Sequence, residues 1–328
     1  MANYKIYLLV ILLSIIVIGI VAVLARYQRE ISAARGRVNN LGSQVIETGC
    51  GQIEYARIGD GYPVLVVHGA LGGFDQGLLT AKYLTEKGFQ VISVSRFGHL
   101  RSPLPENATL DMQVDLYACL LDELGIQRTA VLGVSAGSTS AIRFAARYPE
   151  RISAFVLQVP AAPGKVLAAP PPKLAFTLMR SDFAYWAMST YLRPVVQRLI
   201  GVPEGFTLTP ETEAEVLDIL ATTLPSSERI DGFSNDFQIH TSAFYEEISE
   251  TNPYSVYKIE TPVLVIMALD DPIALPENVR GLAEKFPNAR MFVVPDGGHL
   301  LLGHSNEVQA EIIQFLNNNV TELTSSHW

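Results

Sequence analysis

The sequence predicts an α/β protein with a mostly parallel sheet flanked by helices. A helical lid insertion and an N-terminal transmembrane helix complete the expected architecture. Three observations carry this reading. Short apolar runs alternate with helical stretches from residue 53 to residue 317, the pattern of buried strands covered by helices on both faces. Between residues 161 and 254 the alternation gives way to prolines and then a long apolar helical stretch. Ahead of both, residues 6–25 (IYLLVILLSIIVIGIVAVLA) carry no charge.

The composition narrows the class. A chain of 328 residues can bury a large core. Its 48% hydrophobic content and its mean hydropathy of +0.23 are high for a purely soluble protein. A net charge of −9 argues against nucleic acid as a partner. The two cysteines, Cys50 and Cys119, make neither a disulfide framework nor a metal cluster. Cys50 lies too far past the apolar run to be a lipid-attachment site and reads as an inert thiol.

Taken in order, the chain opens on a membrane anchor over residues 1–25. The twenty residues of the apolar run, at 1.5 Å each, span about 30 Å, the thickness of a hydrocarbon core. The alternative is a cleaved signal followed by secretion, since Val23, Leu24 and Ala25 resemble a cleavage site. Lys5 precedes the run, whereas Arg26, Arg29, Arg35 and Arg37 follow it, which weakly favours a cytoplasmic globular domain. Residues 26–50 read as a linker.

Residues 51–160 and 255–322 form the expected α/β core, and residues 161–254 the lid. Residues 53–58 alternate as a strand and end in Gly59-Asp60-Gly61, a hairpin signal. Residues 63–67, 90–95, 154–159, 262–268 and 290–294 are further strands. Residues 110–124 form a helix with Leu116, Leu120, Leu121 and Leu124 on one face, stopped by Gly125. The lid begins with Pro160, Pro163 and Pro170 to Pro172. Its aromatics (Phe176, Phe183, Tyr185, Trp186, Tyr191) pack in the lid, and some should face a mainly apolar cleft. Residues 232–237 read as a mobile return loop.

The residues that carry chemistry fall just after strands, where ligands sit in such sheets. Residues 129–138 (TAVLGVSAGS) read as strand, tight turn and helix, with G-x-S-x-G at the turn. Such a turn lifts the Ser135 hydroxyl out of the sheet, and Gly133 and Gly137 allow backbones to approach. Free N–H groups at the start of the next helix face developing negative charge. A serine needs a base. His299, on the glycine loop after the last strand, fills that place ahead of His304. The third member, holding the imidazole, is Asp271 or its neighbour Asp270, with Asp271 preferred. Ala136 and Ala70 are the expected N–H donors for an oxyanion. His68 reads as a structural loop histidine.

The motifs HGALGG, SRFGHLRSPLP, GVSAGS, ALDDPIALP and GGHLLLGH together resemble the α/β-hydrolase superfamily. The resemblance covers residues 50–320 and is nearest to lid-bearing bacterial serine hydrolases, among them esterases, cofactor-free haloperoxidases and carbon–carbon-bond hydrolases. The order Ser135, Asp271, His299 is that of the superfamily. It implies a serine esterase acting on a carboxylic ester, lactone or thioester with an apolar part. No metal or organic cofactor is implied. An amidase or a carbon–carbon-bond hydrolase is the alternative within the class, and a non-catalytic receptor on the same fold the alternative outside it. One departure is SRFGHLRSP, where many members carry D-x-x-G-x-G-x-S. Its Arg96, His99 and Arg101 read as a salt-bridged loop or, alternatively, as contacts to a substrate carboxylate.

Overall fold

A computed structural model describes residues 2–163, 173–237 and 255–320. Eight strands form one sheet in the order β1-β2-β4-β3-β5-β6-β7-β8. They are β1 (Gln44–Thr48), β2 (Gly51–Ile58), β3 (Tyr62–Val67), β4 (Phe89–Val94), β5 (Thr129–Val134), β6 (Ile152–Gln158), β7 (Val263–Ala268) and β8 (Ala289–Val294). The first two pairings, β1 with β2 and β2 with β4, are antiparallel, and all later ones are parallel. Strands β4 and β7 are buried at every position, as strands of a sheet covered on both faces must be, and β7 is apolar throughout. The edge strand β8 is mostly half-exposed.

Helices α2 (Phe74–Ala81) and α11 (Ser305–Val320) cover one face of the sheet, through a core that includes Phe74, Leu78, Val308 and Leu316. Helices α3 (Leu110–Glu123), α4 (Gly137–Arg147) and α10 (Pro276–Ala283) cover the other, around Leu120, Phe144 and Leu282. Helix α3 begins where Thr109 accepts the Met112 N–H and ends before Gly125, whose φ of +68° favours glycine. Between β6 and β7 lie the lid helices α5 (Lys173–Met179), α6 (Asp182–Tyr191), α7 (Arg193–Leu199), α8 (Pro210–Ala221) and α9 (residues 230–237).

Four sequence expectations change. Residues 26–50 are not a linker. The N-terminal helix α1 runs unbroken over Ala2–Asn40, and β1 and the turn into β2 follow it. Beyond the apolar run it buries Ile31, Ala34 and Val38 against the globular part, a stripe at helical spacing that the arginines in between obscure. The Gly59–Gly61 segment makes no hairpin, because β4 lies between β2 and β3, and the tight antiparallel turn is at Gly49-Cys50. Residues 232–237 are helical rather than a loop, with Phe233 packed against Phe176 and Phe237. Cys50 is no free thiol. It is bonded to Cys119 of α3 across a Cα separation of 6.1 Å, tying the hairpin edge of the sheet to a covering helix. The prolines 170–172 lie outside the described residues.

Candidate active site

Parallel register brings the ends of the central strands to one level. Val67 of β3 pairs with Gly133 of β5, Val134 of β5 with Gln158 of β6, and Ala268 of β7 with Val294 of β8. The loops that follow β3, β5, β7 and β8 therefore meet at one edge. His68 to Leu71, Ser135, Asp271 and His299 stand on those loops.

Ser135 occupies the turn from β5 to α4 with φ +48°, a left-handed conformation that costs a non-glycine residue about 1–3 kcal/mol. The flanking glycines make this turn possible. A Cβ at Gly137 would lie 2.3 Å from the His68 carbonyl oxygen, and one at Gly133 would lie 2.7 Å from the Ala141 Cβ. The turn thus packs against the loop after β3 and against α4 more closely than any side chain permits.

Ser135 Oγ lies 2.7 Å from His299 Nε2, and His299 Nδ1 lies 2.8 Å from Asp271 Oδ2. The other oxygen of Asp271 accepts the N–H groups of Ile273 and Ala274 at 2.8 and 2.9 Å. Asp271 is therefore buried, fully hydrogen-bonded and aimed at the imidazole. This fixes the tautomer: Nδ1–H donates to Asp271, and Nε2 is left to accept from the serine. The neighbouring Asp270 has a different task. It accepts the Gly298 N–H at 2.9 Å and holds the histidine loop. His304 stands apart, bonded to Asp296 and Glu307, which raise its pKa above the usual imidazole value despite some burial.

Ala136 is the N-cap residue of α4, directly after the serine. Ala70 lies on the loop after β3, where a Cβ on its neighbour Gly69 would come within 3.4 Å of the Ser135 Cβ. Among the described residues, neither the Ala70 nor the Ala136 N–H donates to another backbone carbonyl outside regular elements. Gln76 of α2 holds this loop in place by accepting the Gly69 N–H at 2.9 Å, and its amide reaches Thr222 beside the lid helix α8 at 3.3 Å. Sequence reasoning passed over Gln76. The available signal was a pair of polar residues, Asp75 and Gln76, opening an otherwise apolar helix.

The SRFGHLRSP loop is neutralised from within. Arg96 pairs with Asp236 of α9 and donates to the Gly69 carbonyl, and Arg101 pairs with the fully buried Glu54 of β2. Burial, helped by Arg96, pushes His99 down to about 3 and holds His68 well below the ordinary imidazole value, so both rings are neutral. His68 donates from Nδ1 to the Gly69 carbonyl and accepts the Arg96 N–H at Nε2. It is a scaffold of the loop. Of the two readings of Arg96, His99 and Arg101, the structure carries the salt-bridged loop.

The lid rests on both chemistry-bearing loops. Ala70 and Leu71 pack with Met179, Tyr185, Ile230 and Phe233, while Leu300 and Leu302 pack with Val196, Val202 and Val216. Apolar side chains thus surround the approach to Ser135 from two directions. Among the described residues no cluster of side chains has the makings of a metal site.

Known proteins share this architecture. A family profile described as alpha/beta hydrolase fold matches residues 62–303. An uncharacterized hydrolase of Bacillus subtilis (strain 168), YcgS, is 27% identical over 264 residues, covering 76% of this chain and 89% of that protein. A poly(3-hydroxyalkanoate) depolymerase of Ectopseudomonas oleovorans is 31% identical over 201 residues, covering 61% and 65% of the two chains. Among solved structures, an alpha/beta hydrolase fold protein from Nakamurella multipartita superposes with a TM-score of 0.68 at 27% identity, covering 84% of this chain and 99% of that one.

Proposed function

The chain belongs to the alpha/beta hydrolase fold family, and on that premise we propose that it is a membrane-anchored serine hydrolase cleaving carboxylic esters with an apolar part. The observation that carries the reading is the unbroken line Ser135–His299–Asp271, with contacts of 2.7 and 2.8 Å. His299 takes the proton from Ser135 as its oxygen attacks the ester carbonyl. Asp271 stabilises the imidazolium that results. The Ala136 and Ala70 N–H groups receive the negative charge of the tetrahedral intermediate, which collapses to an acyl-enzyme as the alcohol leaves with the proton from His299. Water then repeats the sequence and frees the acid. The apolar lid residues around the serine favour an acyl or alcohol group with hydrocarbon to bury.

The test is turnover of p-nitrophenyl esters of increasing chain length by the full chain, beside labelling with a fluorophosphonate. Hydrolysis that peaks at an intermediate or long chain, with the label on the peptide containing Ser135, is expected. A protein that neither hydrolyses nor labels would return the fold to a receptor role.

The same proposal includes the location. Helix α1 is long and apolar enough to span a membrane or to act as a signal. Its contact stripe already includes the half-buried Val23, inside the apolar run, which favours retention over cleavage after Ala25. For the globular domain, the charge bias and the Cys50–Cys119 bond point to opposite sides. A disulfide persists in an oxidising compartment, whereas the charge rule is a statistical bias, so we place the domain on the non-cytoplasmic side. In purified membranes Cys50 and Cys119 should resist maleimide until reductant is added. Cys119→Ser should lower unfolding free energy by roughly 2–4 kcal/mol. Thiols that react freely without reductant would reverse the assignment of side.

A further inference from the structure

Helices α1 and α6 run antiparallel along one another. Arg35 donates to Asp182 at the start of α6 at 2.8 Å, Trp186 Nε1 donates to Glu30 at 2.7 Å, and the Arg26 guanidinium lies 5.9 Å from the Tyr191 ring at the end of α6. Each turn forward along α6 is therefore a turn back along α1, toward the apolar run that ends at Ala25. Tyr191 stands level with the first residue beyond that run. Because α1 has no break between its apolar and docked halves, it acts as a strut and not a tether. The end of α6 is held at the depth where the apolar run ends. The half-exposed Tyr191 beside Arg26 is the aromatic and cationic pairing that favours a membrane–water boundary.

Helix α7 starts at this level. Leu192, Val195 and Leu199 recur at i, i+3 and i+7 and are 55%, 52% and 64% exposed. Val196, next to this row on the helix, turns inward and is buried in the lid. Such a run of aliphatic side chains facing outward has no partner within the described residues. Two residues past Leu199, the Gly201 carbonyl accepts the His299 N–H at 3.0 Å, and a Cβ at Gly201 would come within 2.2 Å of the His299 Cβ. The exposed apolar helix thus ends directly on the loop that carries the candidate base.

We infer that the Leu192–Val195–Leu199 face seats on the lipid leaflet that α1 enters, so that esters dissolved in the bilayer reach Ser135 past α7. The substrate class is a membrane-partitioned long-chain ester. This inference rests on the hydrolase reading above. A lipid leaflet is the occupant because α1 fixes the start of this face level with the end of its own apolar run. The paired cations Arg193 and Arg198 flank the aliphatic row and can remain in the headgroup layer.

The experiment uses the full chain reconstituted in phosphatidylcholine vesicles. Val195→Trp and Leu199→Trp should each gain fluorescence that dibromo-phosphatidylcholine quenches. The triple variant Leu192→Glu, Val195→Glu, Leu199→Glu should turn over soluble p-nitrophenyl butyrate like the wild type but lose about tenfold on p-nitrophenyl palmitate held in the vesicles. Absence of quenching would overturn the docking, and so would quenching-free cross-linking of two chains through this face, which would assign it to a second copy. Equal activity of triple variant and wild type on the vesicle-held ester would overturn the delivery route. A wild type inert toward both esters would remove the hydrolase reading and the delivery route with it, while the tryptophan signals would still report the docking.

Discussion

Ser135→Ala is expected to lower kcat/KM for the best p-nitrophenyl ester by about ten-thousandfold or more, Asp271→Asn by a comparable factor, and Asp270→Asn by less than about tenfold. The separation of the two adjacent aspartates follows from their hydrogen bonds. One oxygen of Asp271 is committed to the N–H groups of Ile273 and Ala274, and the other faces His299 Nδ1. An asparagine has a single oxygen. Held by the two backbone donors, it turns its NH2 toward Nδ1, which must then accept. The proton moves to Nε2, and the ring can no longer receive one from Ser135. Asp270 only accepts the Gly298 N–H, which an asparagine oxygen does equally well. The loss should fall on kcat with little change in KM, since no substrate contact is removed. Circular dichroism should be unchanged in all three variants. Equal losses at both aspartates would mean that the histidine loop, rather than the orientation of the imidazole, is what the pair protects.

The legible parts of this molecule are those encoded by contiguous residues. The strand, turn and helix around Ser135 announce themselves because the turn needs small residues at fixed offsets. The buried strands are legible because a sheet covered on both faces leaves few polar positions, none of them in β7. The choice of Asp271 over Asp270 was open in sequence, since both sit at the same strand end and only the direction of the side chain separates them. Distant pairings were legible only where strand ends announce them, as for Ser135 and His299. Cys50 and Cys119 are 69 residues apart, and no spacing rule brings a hairpin turn to a covering helix. The docked half of α1 was missed for a related reason. Its buried stripe of Ile31, Ala34 and Val38 is small, and its arginines look solvated until Asp182 and Asp75 are brought beside them.

Those arginines lead to the second large effect, which is on stability. Arg229→Met or Asp75→Asn is expected to lower unfolding free energy by roughly 3–5 kcal/mol. Arg229 and Asp75 have no exposed side-chain surface and form a two-pronged pair at 2.9 and 2.8 Å. Removing Asp75 leaves the buried Arg229 guanidinium without a counter-charge, and removing Arg229 leaves Asp75 only the longer contact to Arg37. The pair also lies at a junction of three parts of the chain. Arg37 of α1 reaches Asp75 at 3.3 Å and the Ala221 and Leu224 carbonyls at 2.7 and 3.2 Å. Asp75 opens α2 immediately before Gln76, the residue that holds the Gly69 N–H. Loss of the carboxylate therefore loosens the strut helix, the lid and the candidate oxyanion loop together. Asp75→Asn should consequently lower kcat as well as the midpoint of urea unfolding. Arg229→Met leaves Asp75 with Arg37 and should act mainly on stability. The double variant Asp75→Leu with Arg229→Met should cost less than the sum of Asp75→Leu and Arg229→Met made singly, because neither member of the buried pair is left behind. Additive losses in that cycle would mean that each residue acts through its packing and that the ion pair itself contributes little.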